Sequence, residues 1–520
     1  MKRVSGKGPV ERWGVYEIVL QGPSEKTSGR GARALNPFTD VAVGARFRRG
    51  NRTQDVKGFY DGEGVYRVRF MPDETGSWSW ETRSNRTELR GATGSFTCVK
   101  PGPGNHGPVR VAKKHHFSYE DGTPFFPMGT TAYAWTYRPE AIRRQTLESF
   151  SKYGFNKIRM LFLPKHYGDG KNVDVSYDPP FFPFEGKPGA WDRRRFVPAY
   201  FRNFEDRVGD LCDRGIEADV ILYHFYDFGK WGIDEGWSRE DDRRYLDYLV
   251  ARLAPHRNVW WSLANEYDLL FKKKQQGIVL DTVLDQKDWD GIGAHLAKID
   301  PWAHLRSVHQ WPAGVLFPNR TWLTHVSYQH PNTYSLLMDI RRRYGKPVID
   351  DEYQYEGNIP MDWGSCSAEE ETVRHWAAVM AGGYATHGEA FNTRTNKRDI
   401  FWSYGGTLRG GSPPRLRFMK DLLVTLPFQD MEPDTYKGDG RNLFCLAKGP
   451  EVYLYFMTPA WKDHRMLFVG PPGGRHRYEA TVYDAWACRK VAEATWECGA
   501  AKGLELPRYA AIVLRRKRGV

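Results

Sequence analysis

Asn265-Glu266 and Asp351-Glu352 each follow directly on a short apolar run, Asn258-Val259-Trp260-Trp261-Ser262-Leu263-Ala264 and Lys346-Pro347-Val348-Ile349-Asp350. Such runs read as buried strands, so each glutamate emerges where a strand gives way to a loop, the first with an amide beside it. Two carboxyls about 5–5.5 Å apart can break a glycosidic bond with retention: one attacks the anomeric carbon while the other protonates the leaving oxygen. The two glutamates lie far apart in the chain, so this chemistry requires a fold that closes on itself.

The elements needed to position them are legible along the chain. From residue 105 to residue 426, short apolar runs alternate with amphipathic helices. Strands are expected at 125–129, 157–162, 217–222, 259–263, 304–308, 323–328, 347–350 and 386–390. Helices are expected at 140–152, 201–214, 239–253, 289–299, 336–343 and 369–380, where apolar residues recur at three- and four-residue spacing. Eight strand–helix repeats over about 300 residues suit a (β/α)8 TIM barrel, whose functional residues gather at the C-terminal strand ends. No Gly-rich phosphate loop follows any strand, which speaks against an open doubly wound sheet. On both sides the pattern is of alternating strands, as in Val15-Tyr16-Glu17-Ile18-Val19-Leu20 and Val452-Tyr453-Leu454-Tyr455-Phe456-Met457. The expected architecture is α/β, a central barrel (105–426) between an N-terminal β-sandwich (1–104) and a C-terminal β-sandwich (427–520).

Aromatic residues make up 14% of the chain, with 19 Trp and 28 Tyr, a composition that suits sugar stacking as well as large β-rich cores. The net charge of +13 comes from scattered Lys and Arg, so a solvated surface is expected rather than a nucleic-acid stripe. The six cysteines lack zinc spacing and read as reduced thiols. No His-Glu-x-x-His or other metal pattern occurs, and no metal or cofactor is expected. The chain carries no apolar run of membrane-spanning length. Its N-terminus has a basic start without an apolar segment behind it, so a cytoplasmic protein is expected, or a secreted one if a signal has been removed.

The runs Phe155-Asn156-Lys157-Ile158-Arg159-Met160, Ala264-Asn265-Glu266 and Lys346-Pro347-Val348-Ile349-Asp350-Asp351-Glu352 resemble clan A glycoside hydrolases, with Asn-Glu ending strand four and Glu ending strand seven. The three-part layout resembles bacterial glycoside hydrolases related to the apiosidase-like barrels, and the likeness covers nearly the whole chain. The resemblance implies Glu266 as acid/base and Glu352 as nucleophile. It further implies Asn265 as a ligand of the hydroxyl next to the anomeric carbon, and Arg159 as the cation that holds Glu352 ionised. Near the nucleophile the clan offers one Tyr or His from strand six; here Tyr328 and His330 both qualify. Glu356 is a rival nucleophile. Apiosidase-like relatives use an Asp as the acid, so their sugar is not carried across.

Other residues at expected strand ends are candidates for sugar contacts: His224 after strand three, Glu389 on strand eight, and Trp135 and Trp402 in or near the loops, with Trp231 and Trp311 beside them. A lone His among aromatics more commonly serves structure, and some of the tryptophans belong to the core. The resulting expectation is double displacement at a β-type glycosidic bond, with exo action on short oligosaccharides or glycosides. The alternatives are a transglycosylase on the same site and a non-catalytic carbohydrate-binding protein with a degenerate barrel. The expected partner is a carbohydrate substrate, not nucleic acid or membrane; homo-oligomerisation stays open.

Overall fold

In the computed structural model the described residues are 3–4, 8–25, 35–166, 178–224, 231–233, 236–268, 287–311, 316–392, 400–464, 466–502 and 505–517. The barrel strands are β1 (Gly129–Thr131), β2 (Lys157–Leu161), β3 (Glu217–Tyr223), β4 (Val259–Ala264), β5 (Arg306–Ser307), β6 (Val326–Tyr328), β7 (Val348–Asp350) and β8 (Tyr384–His387). They form one parallel sheet in the order β5-β4-β3-β2-β1-β8-β7-β6. Between β5 and β6 the gap is bridged just ahead of β6: Thr324 N donates to Arg306 O at 2.9 Å, and Arg306 N donates to Thr324 Oγ1 at 2.7 Å. Every residue of β2, β3 and β4 is buried, because both faces of a parallel barrel strand are covered.

Six helices match the apolar periodicity, α1 (Glu140–Tyr153), α2 (Pro198–Cys212), α3 (Arg239–Leu253), α4 (Trp289–Ile299), α5 (Ser335–Tyr344) and α6 (Ala368–Met380), and α7 (Ser412–Leu423) adds one beyond those expected. Ser238 with Asp241, and Ser367 with Glu370, form capping boxes that fix the starts of α3 and α6.

Two expected strands are cut differently. Pro127, which has no N–H for a ladder, separates Phe125 from the barrel. Phe125 instead ends a three-stranded antiparallel sheet (109–112, 116–119, 124–125). Phe117 of that sheet meets Trp260, His325 and Tyr384, so the sheet covers the N-terminal mouth. At the other mouth, β8 stops at His387, and Glu389-Ala390 pairs with Glu356-Gly357.

Before the barrel, a four-stranded and a five-stranded sheet face each other through stacked pairs, Tyr16 on Phe96 at 4.0 Å and Phe47 on Phe70 at 4.1 Å. After it, a six-stranded antiparallel sheet lays Phe456 flat on Trp376 of α6, ring centroids 4.6 Å apart. The six cysteines are free.

A buried ion cluster fastens the N-terminal sheets to the barrel. Arg69 reaches Glu17 at 2.7 Å and Glu205 of α2 at 3.0 Å, while Arg252 of α3 pairs with Glu205 and with Asp61 at 2.9 Å. Removing one member strands its partners' charges in a buried site, at about 3–5 kcal/mol. Arg252→Leu is therefore expected to lower the chemical-unfolding midpoint markedly. Arg46→Ala, which breaks the exposed Arg46–Asp55 pair, is expected to change it little. Equal effects of the two substitutions would contradict this reading.

Candidate active site

The β4 ladder continues one residue past the strand, with Asn265 N donating to Tyr223 O at 3.1 Å, and then the backbone turns sharply. Glu266 has φ +48°, a conformation that side-chain-bearing residues avoid and that costs on the order of 1–3 kcal/mol. Its Oε1 accepts a 2.8 Å hydrogen bond from Gln329 Nε2, and the same amide donates to Gln310 O at 2.9 Å. A neutral donor thus faces this carboxyl.

Glu352, one residue beyond Asp351 at the end of β7, stands in a different environment. Arg159 Nη1 lies 2.6 Å from its Oε1, and the Tyr133 hydroxyl donates to the same oxygen. Only 12% of the Glu352 side chain is exposed. Burial pushes its pKa up, but Arg159, His309 and the Tyr133 hydrogen bond outweigh it and hold the carboxyl below the ordinary glutamate value. Burial first, and Glu352 as well, raise the Tyr133 hydroxyl far above its usual range, so it stays a proton donor.

Arg159 connects the two strand ends. Its second terminal nitrogen donates to Asn265 Oδ1, and Nη1 also reaches Asp351 O at 3.3 Å. Beneath it the barrel interior is polar. Asp351 accepts from Lys157 Nζ at 2.9 Å, Ser327 Oγ at 2.5 Å and Thr386 Oγ1 at 2.6 Å, and Lys157 pairs with Asp219 at 2.7 Å. These bonds tie β2, β3, β6, β7 and β8 together under Glu352. Burial opposes the charge on Asp351, but Lys157 and Arg159 keep it ionised well below the usual range.

An aromatic wall stands beside Glu352. Tyr133 packs edge-on against Trp402, centroids 5.7 Å apart, and Trp402 stacks on Tyr355 at 5.9 Å. Tyr355 lies against the backbone of the break after β8, where a Cβ on Gly388 would meet its ring at 1.8 Å. That contact explains the glycine at the break.

The remaining candidates fall elsewhere. Glu356 is buried and fully engaged: its oxygens accept from Gly411 N at 2.6 Å, Ser412 N at 2.9 Å and Ser412 Oγ at 2.6 Å, ahead of and within the first turn of α7. Glu389 likewise accepts from Arg409 N and Gly410 N. Burial pushes its pKa up to about 7 against those N–H groups. Both carboxylates anchor the segment leading into α7. His224 Nε2 holds Leu163 O and Pro164 O at 3.2 and 3.1 Å, and burial first, then Lys165, bring its pKa down to about 3. Trp135 is fully buried with its indole N–H on Met160 Sδ, and Trp231 is buried beside Phe182. Tyr328 is fully buried against Asp350, and half-buried His330 accepts from Asn332 N at 2.9 Å. The phenol on Glu352 is therefore Tyr133 of the β1 end rather than either strand-six candidate. Trp311, half-buried, has its backbone N–H on Asp268.

Four residues of the site carry no mark in the sequence reading: Tyr133, Gln329, His309 and Tyr355. Tyr133 follows an expected strand, so the strand-end rule applied to every strand would have reached it. Gln329 stands between the two strand-six candidates, and alternation along the strand separates it from Tyr328. His309 is fully buried beyond β5, its backbone tied to Ala264 O at 3.1 Å, and burial first, then Arg159, lower its pKa to about 4.

Substitution of Arg159 is expected to move the acid limb of the kcat/KM profile. A carboxylate that attacks the anomeric carbon must be ionised, so with Glu352 in that role, as proposed below, activity falls as pH drops through the Glu352 pKa. With the guanidinium present that limb lies below the ordinary glutamate value; in Arg159→Leu burial is no longer outweighed, and the limb shifts to higher pH. A pH–rate profile checks this, and an unmoved limb would contradict it.

A barrel with glutamates just past β4 and β7, in which an arginine from β2 joins Glu352 to Asn265, defines a glycoside hydrolase-like protein. Residues 111–393, more than half of the chain, match the apiosidase-like catalytic domain family, and residues 9–85 match a domain of unknown function, DUF5060. The chain belongs to the apiosidase-like family. It is similar to a provisionally assigned glycoside hydrolase from Bacteroides vulgatus ATCC 8482, with 34% identity over 98% of this chain and 100% of that one, at a TM-score of 0.83. A glycoside hydrolase family 5 protein from the same organism shares the fold, with 16% identity over 79% of this chain and 94% of the other, at a TM-score of 0.56. No curated protein matches the chain. Among the described residues no helix is long and apolar enough to cross a membrane, and no cluster of His, Cys, Asp and Glu could hold a metal ion.

Proposed function

We propose that this protein is a retaining glycoside hydrolase acting on β-linked oligosaccharides or glycosides, with Glu352 as nucleophile and Glu266 as acid/base. The observation that carries this reading is the setting of Glu352, gripped by a guanidinium and a phenol just past β7, with Glu266 accepting from the Gln329 amide just past β4. A cation beside a carboxylate keeps it ionised, which suits a nucleophile.

In the first step the Glu352 carboxylate attacks the anomeric carbon and the glycosidic C–O bond breaks. The departing oxygen takes the proton of Glu266. Glu266 then removes a proton from water, the water oxygen attacks the same carbon, and Glu352 leaves. Asn265, fixed through its carbonyl oxygen by Arg159, is assigned to the hydroxyl next to the anomeric carbon. Trp402, braced between Tyr133 and Tyr355, is assigned to the apolar face of the sugar. Exo action belongs to the proposal on the ground of short substrates, as does a carbohydrate as the partner.

A panel of 4-nitrophenyl α- and β-glycosides tests the reading. Release of nitrophenol from one or more β-glycosides, absent in Glu352→Ala, is expected. Sugar binding without cleavage of any panel member would turn the reading toward a carbohydrate-binding protein.

A further inference from the structure

The segment between β7 and α6 forms a braced arm. Tyr355 N donates to Trp363 O at 2.7 Å, Cys366 N to Tyr355 O at 3.1 Å, and Ile359 N to Gly364 O at 3.0 Å. Asn358 and Asn392 exchange side-chain-to-backbone bonds of 2.9 and 2.6 Å, which tie the arm to the end of the β8 segment. At its tip, Trp363 stands perpendicular to Trp402, centroids 5.5 Å apart, and also edge-on to Tyr355 at 6.1 Å. Trp363 is 41% exposed and neighbouring Met361 is 57% exposed. A large indole held rigid and left in water is a binding surface more than a packing element, because its ordering is already complete in the free protein.

The side of the site on which it stands fixes what it would hold. In the sheet order, the segments carrying Tyr355, Trp402 and Tyr133 follow β7, β8 and β1, across the barrel from β4 and β5. The leaving group lies toward its proton donor, Glu266 at the β4 end. A ring on the opposite wall belongs to the glycone.

We infer that Trp363, with Met361, forms a second glycone subsite, so that the enzyme takes substrates with two sugar units on the non-leaving side of the scissile bond. This rests on the hydrolase reading above. Under exo action the product released is then a disaccharide.

Matched 4-nitrophenyl glycosides with one and two β-linked sugars test it: glucoside with cellobioside, xyloside with xylobioside, mannoside with mannobioside. In the wild type the two-sugar member of the active pair should show kcat/KM about ten-fold higher, the size of one aromatic stacking contact. Trp363→Ala should erase that preference, the two-sugar member losing about ten-fold more than the one-sugar member; Trp363→Phe should restore part of it. Equal turnover of both members by wild type, or a preference that survives Trp363→Ala, overturns the second subsite and leaves the hydrolase reading standing. Failure to cleave any pair, with the protein folded, strikes the hydrolase reading and the subsite with it.

Discussion

Glu352→Ala is expected to lose activity by on the order of 10^4- to 10^6-fold, the range for removal of a covalent nucleophile that works as part of a unit. The loss should fall on kcat for every substrate, good and poor leaving groups alike, because no bond to the anomeric carbon can form. Sodium azide should restore turnover by entering the space vacated by the carboxylate, and the product should be the glycosyl azide of inverted configuration. Glu352→Gln keeps the volume and an oxygen facing Arg159 but, like Glu352→Ala, leaves that buried guanidinium without its carboxylate. If Glu356 were the nucleophile instead, Glu352→Ala would keep substantial activity. Its three hydrogen bonds to the segment at the start of α7 speak against that.

Glu266→Ala should cost about 10^2- to 10^4-fold on substrates whose leaving group needs a proton, the usual contribution of general acid–base catalysis. On 2,4-dinitrophenyl glycosides the first step should be nearly unaffected, since that phenolate departs unaided, and the glycosyl-enzyme should accumulate as a burst. Azide should accelerate its breakdown and give the azide of retained configuration. Opposite azide stereochemistry in two variants is hard to produce by misfolding. The left-handed backbone at Glu266 adds a structural corollary: Glu266→Gly relieves strain, so a loss of activity there accompanied by unchanged or higher stability would separate function from folding.

The barrel was legible because its signals are local and periodic. β3 and β4 are mostly apolar, Glu217, Asp219 and Ser262 apart, and α3 and α4 begin and end where their spacing predicts. The placing of Glu266 and Glu352 just past the ends of β4 and β7 was legible because each follows directly on an apolar run. What stayed hidden is what depends on packing across the barrel. Tyr328 satisfies the pattern for a nucleophile-side phenol, yet its strand buries it against Asp350, and Tyr133 reaches Glu352 from the β1 end. Trp135 and Trp402 look alike in sequence; one is buried on Met160 and the other stands half-exposed beside Tyr133. Glu389 sits on a strand end as Glu352 does, but the backbone N–H groups of Arg409 and Gly410 claim it. No periodicity in one chain reports which long-range partner a polar side chain finds.

The most direct test of the mechanism is proton NMR of the anomeric signal during the first minutes of hydrolysis, before mutarotation. Two carboxyls close enough for direct attack release the sugar first as the β-anomer from a β-glycoside. Initial appearance of the α-anomer would mean that Glu352 only activates water across a wider gap, and the covalent mechanism assigned to it would be wrong.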